Sequence, residues 1–100
     1  LDDEIFLKNS IKHNCFWKNW LSQEFPNLGI KVIPSVANFV TIIFKDSFSA
    51  SKFAESLEKN NIFVRNLNAY KMNNCLRITV GTELQNKRLL KLSKKILKEN

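Results

Sequence analysis

Residues 74–86 read NCLRITVGTELQN, and the alternation inside them decides the fold. Side chains in a strand point to opposite faces in turn, so Leu76, Ile78 and Val80 share one face while Arg77 and Thr79 share the other. Gly81, one of only two glycines in the chain, ends the run. Thr82 and Gln85, three residues apart, then form the capping-box pattern that starts a helix. A strand apolar on one side only, running straight into a helix, calls for a sheet covered on one face. Arg77 is the anomaly, a charge in the middle of an apolar run.

Working outward, the final helix launched at Thr82 places Leu89, Leu90, Leu92, Ile96 and Leu97 on one arc, with Lys87, Arg88, Lys91, Lys94, Lys95 and Lys98 opposite. The basic arc is read as solvated surface. Upstream, "NIFVRNL" (61–67) reads as a strand and "NAYKMNN" as a turn. "SFSASKFAESLEKN" (47–60) is an amphipathic helix with Ala50, Phe53, Ala54 and Leu57 at helical spacing. "ANFVTIIF" (37–44), rich in β-branched and aromatic residues, predicts a buried strand, and "IKVI" (30–33) a shorter one ended by Pro34. Residues 3–24 contain no proline or glycine and predict a helix ending before "FPNLGI". Its wide apolar arc (Phe6, Leu7, Ile11, Cys15, Trp17, Trp20, Leu21) implies packing on more than one side.

The predicted order is α-β-β-α-β-β-α. The connections are too short for all-parallel pairing, so the expectation is an α+β domain: a mostly antiparallel sheet with helices packed chiefly on one face. One hundred residues suit one domain with a modest core. No apolar run approaches the ~18 residues of a membrane span. The acidic start, LDDEIF, lacks a basic leader and an initiator methionine, which suggests a piece of something longer. Cys15 and Cys75 have no metal-ligand or redox spacing and fit two reduced thiols in a cytoplasmic protein.

The formal charge of +7 raises nucleic acid as a partner. The charge comes from thirteen lysines and only three arginines, beside thirteen asparagines, which looks like a compositional bias rather than a binding face. An RNA-binding sheet would also expose stacking aromatics on its central strands, and "CLRITV" has none. The nucleotide-binding glycine motifs and paired metal ligands are absent from the sequence, and the only histidine, His13, reads as a surface residue. What remains is the placement of two of the three arginines, Arg65 and Arg77, in predicted strands. Arginine offers a planar charged fork that grips carboxylate or phosphate in bidentate fashion. The plainer reading is a solvated or ion-paired strand arginine.

Three segments, "VIPSVANFVTIIF", "NNIFVRNLNAY" and "NCLRITVGTELQNKRLL", in this order and spacing, resemble the C-terminal small domain of the histidinol-phosphate aminotransferases. These are fold-type I enzymes dependent on pyridoxal 5'-phosphate. The resemblance covers nearly the whole chain, so residues 1–100 are expected to be one small domain without its large one. Asn61 stands where the family has glycine, and Gln85-Asn86 replaces an acidic residue before asparagine; neither change touches an arginine.

The resemblance implies that Arg77 and Arg65 bind the substrate's anionic groups, the carboxylates of glutamate or 2-oxoglutarate and the phosphate of histidinol phosphate. Asn38 and Phe39 match the family's A-N-F segment and are read as structural. It places the Schiff-base lysine and the cofactor seat in the large domain, so no catalytic residue and no bound cofactor are expected here. The implied partners are that large domain, the substrates and, for the intact enzyme, a second subunit in a homodimer. Another amino-acid substrate of the same enzyme class is the alternative.

Overall fold

In a computed structural model, described for residues 2–99, Pro26 does not end the first helix. α1 runs Asp2–Asn27, with Pro26 inside its last turn. There the missing N–H costs only one bond, and the real terminator is Gly29 at φ +83°. The Gly29 N–H donates to Pro26 O at 3.0 Å and the Ile30 N–H to Phe25 O at 3.1 Å. This is the paired closure that a left-handed residue makes possible, with Phe25 and Ile30 both buried beside it.

The same device closes α2 (Ser47–Lys59). Asn61 takes φ 62° and donates to Glu58 O, while the Ile62 N–H donates to Leu57 O at 2.9 Å. An asparagine can close the helix in this way because its short polar side chain tolerates that region. This cap consumes the start of the expected 61–67 strand. β3 is therefore only Arg65–Leu67, with Ile62 and Val64 packed against the core instead.

The remaining strands are β1 (Lys31–Pro34), β2 (Phe39–Ile43) and β4 (Met72–Thr79). The order across the sheet is β1-β2-β4-β3, and every pairing is antiparallel. Pro34 is tolerated because β1 is an edge strand. β4 begins three residues earlier than expected. One turn of 3-10 helix (Asn68–Tyr70) and Lys71 at φ 61° return the chain, and Met72 already pairs with Leu67. Asn74 belongs to the strand because its carbonyl accepts the Phe44 N–H at 2.8 Å and its side chain donates to Phe44 O at 3.0 Å. Pairing overrides the turn preference of the asparagines.

α3 (Glu83–Glu99) completes the helix layer. Leu76 and Ile78 of β4 and Val40 and Ile42 of β2 pack beneath Leu21 and Phe25 of α1, Phe53 and Leu57 of α2, and Leu89 and Ile96 of α3. All three helices cover that face, as the alternation in residues 74–86 requires. Among the described residues no helix covers the opposite face, where Arg77 and Phe39 are half-buried and Thr79 is exposed, although Cys75 is buried.

α1 is not covered as its wide arc implied. Trp17, Leu21 and Phe25 form a buried stripe, but Ile5, Leu7, Ile11 and Phe16 are each about 60% exposed. The Phe6 side chain lies outside the described residues. Among the described residues no helix is long and apolar enough to cross a membrane.

The start of α2 makes its own test. Asp46 caps it, accepting the Ser49 N–H at 2.7 Å. That backbone hydrogen bond, with the Ser49 side chain and the charge of Lys45, holds the Asp46 carboxyl below the usual carboxylate range. A depressed carboxyl contributes stability above its unfolded pKa and loses it as pH falls through the folded one. Asp46→Ala therefore lowers the thermal midpoint at neutral pH, and the deficit shrinks as the solution is acidified past about pH 3.9. A deficit that stays constant across that range would contradict the cap.

Candidate anion-binding face

The bare face of the sheet is where Arg77 arrives. Leu76 and Ile78 are fixed in the core at 1% and 3% exposure, so the intervening side chain has no choice but to point away. Arg77 is half-buried there, and Arg65 is exposed on the edge strand beside it. The register places Arg65 directly opposite Arg77, with Thr41 opposite Arg77 on the other flank. Two like charges facing each other across a strand pair are unfavourable unless something between them supplies the opposite charge.

Nothing among the described residues does. Among the described residues the ion pair found is Lys87 with Glu83, one turn apart on α3. Arg88 offers a contrast: its Nη2 donates to Asn60 O at 2.6 Å, tying α3 to the end of α2. That arginine has a structural partner. The guanidinium of Arg77 lies instead over the ring of Phe39, its Cζ 4.6 Å from the ring centroid. Phe39 thus belongs to the bare face, half-buried, and not to the core as its apolar neighbourhood in sequence suggested. Only β-alternation combined with the β2–β4 register could have found that.

β4 is fastened just beyond the arginine. The Val80 N–H donates to Asn38 O at 2.7 Å. Asn86, only 1% exposed, grips Gly81 from both sides: its Oδ1 accepts the Gly81 N–H at 2.9 Å and its Nδ2 donates to the Gly81 carbonyl at 3.1 Å. His13, exposed as expected, donates from Nε2 to the same carbonyl at 2.8 Å and so links α1 to this junction. The capping box is formed, with the Thr82 N–H donating to Gln85 Oε1 at 2.9 Å and the Gln85 N–H to Thr82 Oγ1 at 3.2 Å. Asn86 was missed from sequence, although a polar residue on the apolar arc of α3 was the available signal.

The box also explains Gly81. A Cβ there would lie 2.5 Å from Gln85 Oε1 and 3.1 Å from Gln85 Cβ. Gly81→Ala therefore displaces Gln85 and forfeits its bond to Thr82, a loss of about 1 kcal/mol in urea unfolding. Coupling to Gln85→Ala checks this: the double variant should be less destabilised than the sum, and strict additivity would count against the clash.

A family profile described as aminotransferase class I and II matches residues 8–92. The chain belongs to the class I and II aminotransferases. Among curated aminotransferases, it is 37% identical to a histidinol-phosphate aminotransferase of Zymomonas mobilis over 86 residues, covering 83% of this chain and 23% of that protein. It is 42% identical to histidinol-phosphate aminotransferase 2 of Legionella pneumophila over 91 residues, 90% of this chain and 24% of that one. The crystal structure of histidinol-phosphate aminotransferase from Sinorhizobium meliloti in complex with pyridoxal-5'-phosphate superposes with a TM-score of 0.89. That match covers 98% of this chain and 27% of the other at 21% identity, which speaks for the fold. The chain thus spans about a quarter of the length of the curated aminotransferases it matches.

The lysines of this aminotransferase chain do not fit a Schiff base to pyridoxal phosphate. Its lysines are exposed except Lys18, which is half-buried with its Nζ donating to Ala37 O at 3.2 Å. Among the described residues no buried side-chain polar atom lacks a partner. A Schiff-base lysine needs a desolvated pocket, and none of these has one.

Proposed function

We propose that this chain, residues 1–100, is the small domain of a cytoplasmic, homodimeric, pyridoxal phosphate-dependent histidinol-phosphate aminotransferase. Its role is to present Arg77 and Arg65 to the anionic groups of the substrates. The observation that carries the reading is the direct opposition of the two arginines on a bare sheet face, without an acidic partner among the described residues. The family membership and the relatives' names support the reaction class. Alone, the chain holds no cofactor and transfers no amino group.

In this reading the domain acts by positioning. A bidentate grip on a carboxylate or phosphate fixes how the substrate enters, which converts loose encounter into aligned approach. The helix layer keeps β4 rigid behind Arg77, and the Gly81 junction fixes the strand's end. The cofactor's electron-withdrawing chemistry belongs to the rest of the enzyme.

The gene tests this. The reading frame upstream of Leu1 should encode roughly three-quarters of such an enzyme, including its cofactor lysine, and the full-length product should transaminate histidinol phosphate with 2-oxoglutarate. An initiator methionine immediately before Leu1 would sink the proposal. Activity on other amino acids alone would keep the reaction class and change the substrate.

A further inference from the structure

Arg77 raises a physical question that its assignment as an anion anchor does not answer. A long, rotamer-rich side chain binds an anion well only if something holds it still beforehand, yet the usual holders, carboxylates and carbonyls, occupy the very N–H groups an anion needs. Arg77 has been given a different kind of holder. Its guanidinium lies over the ring of Phe39, Cζ to centroid 4.6 Å.

We infer that Phe39 is the positioning residue for Arg77, holding the guanidinium by its face so that the N–H edges stay free for an anion. This rests on the reading of Arg77 as an anion anchor. The electron-rich face of an aromatic ring attracts a guanidinium without accepting its N–H donors in the fork plane. The strand register makes the arrangement specific. Thr41, small and directly opposite Arg77, leaves a lane across β2, and Phe39 stands two residues along the same face, opposite Thr79. On its other flank Arg77 meets the like charge of Arg65, so attraction and repulsion both lean it towards the ring.

The ring is itself well mounted. The Phe39 carbonyl accepts the Ser35 hydroxyl at 2.8 Å, the preceding Asn38 carbonyl takes the Val80 N–H, and the following Val40 is fully buried. Phe39 is therefore not simply a core residue of the A-N-F segment. Arg65, exposed on the edge strand, serves as the internal control.

The test uses this chain, inorganic phosphate as the probe, and the side-chain Nε–H resonances of Arg77 and Arg65 read by NMR. In the wild-type chain phosphate shifts the Arg77 resonance, and the ring displaces it from the free-arginine position. Phe39→Leu, which keeps bulk and removes the π face, returns Arg77 to the free position and weakens phosphate binding about three- to tenfold. The unliganded Arg65 resonance stays where it was. Phe39→Trp separates ring chemistry from packing: a better cation–π face should bind phosphate at least as well as phenylalanine, whereas a purely structural role would make tryptophan the worst of the three. Should Phe39→Leu fail to fold by circular dichroism, Phe39→Met takes its place. Unchanged phosphate affinity in the folded leucine or methionine variant overturns the role of Phe39 and leaves Arg77 an anchor. Phosphate that shifts neither arginine in the wild-type chain removes the anchor reading and this inference together.

Discussion

Replacing Arg77 by alanine in the full-length enzyme should lower kcat/KM about a thousandfold, some 4 kcal/mol of lost transition-state stabilisation. The size follows from the geometry. On the proposed reading, a half-buried guanidinium with no hydrogen-bond partner among the described residues would make charge-assisted, bidentate bonds to the substrate, roughly twice as strong as neutral ones, strengthened as the site closes and water leaves. Arg77→Lys should restore little, because an ammonium can neither fork onto two oxygens nor lie on the Phe39 ring in the same way. Arg65→Ala should cost less, since Arg65 is exposed on an edge strand. Steady-state kinetics of the three variants, with cofactor occupancy checked by absorbance, decides the matter. A loss under tenfold for Arg77→Ala would mean that the arginine faces water and not substrate.

The second large effect concerns the fold. Phe25→Ala should destabilise the domain by about 3–5 kcal/mol, which for a chain of this size is much of the total stability. Phe25 has 0% exposure, and it does two jobs at one place. Its ring fills the core between α1 and the sheet, and its carbonyl accepts the Ile30 N–H in the closure around Gly29. Urea unfolding followed by circular dichroism gives the number. Phe48→Ala is the control: Phe48 is 72% exposed and should move stability by no more than about 0.5 kcal/mol. Equal losses at the two sites would contradict the burial of Phe25.

The fold was legible in sequence wherever one local rule acted alone. Alternation in residues 75–80 sorted Leu76, Ile78 and Val80 from Arg77 correctly, and Thr82 with Gln85 marked the start of α3. Legibility failed where two rules competed for the same residues. Pro26 and Gly29 together looked like the break after α1, but near the helix end a proline forfeits one bond and Gly29 alone decides the end. Asn61 and Ile62 looked like the start of a strand because they lead into the apolar run at 62–64, yet the closure of α2 claimed their N–H groups first. Asn73 and Asn74 looked like turn until the partner strands were known. The site was half legible for a similar reason. Arginine's chemistry and its strand parity are local, so Arg77 and Arg65 stood out. That they face each other, and that Phe39 lies beneath one of them, depends on register, which no single segment contains.

His13 gives α1 a mechanical character. From its bond to Gly81 the helix runs on towards Asp2 for about 16 Å, eleven residues at ~1.5 Å each, with Ile5, Leu7 and Ile11 exposed along it. Because α1 is one continuous helix, this stretch cannot turn on its own; it projects as a stiff extension of the buried stripe of Trp17, Leu21 and Phe25. His13 is tied to the same Gly81 carbonyl that Asn86 clamps, four residues along the chain from Arg77. The strand that carries the arginine is thereby braced at its end by two helices, α1 and α3.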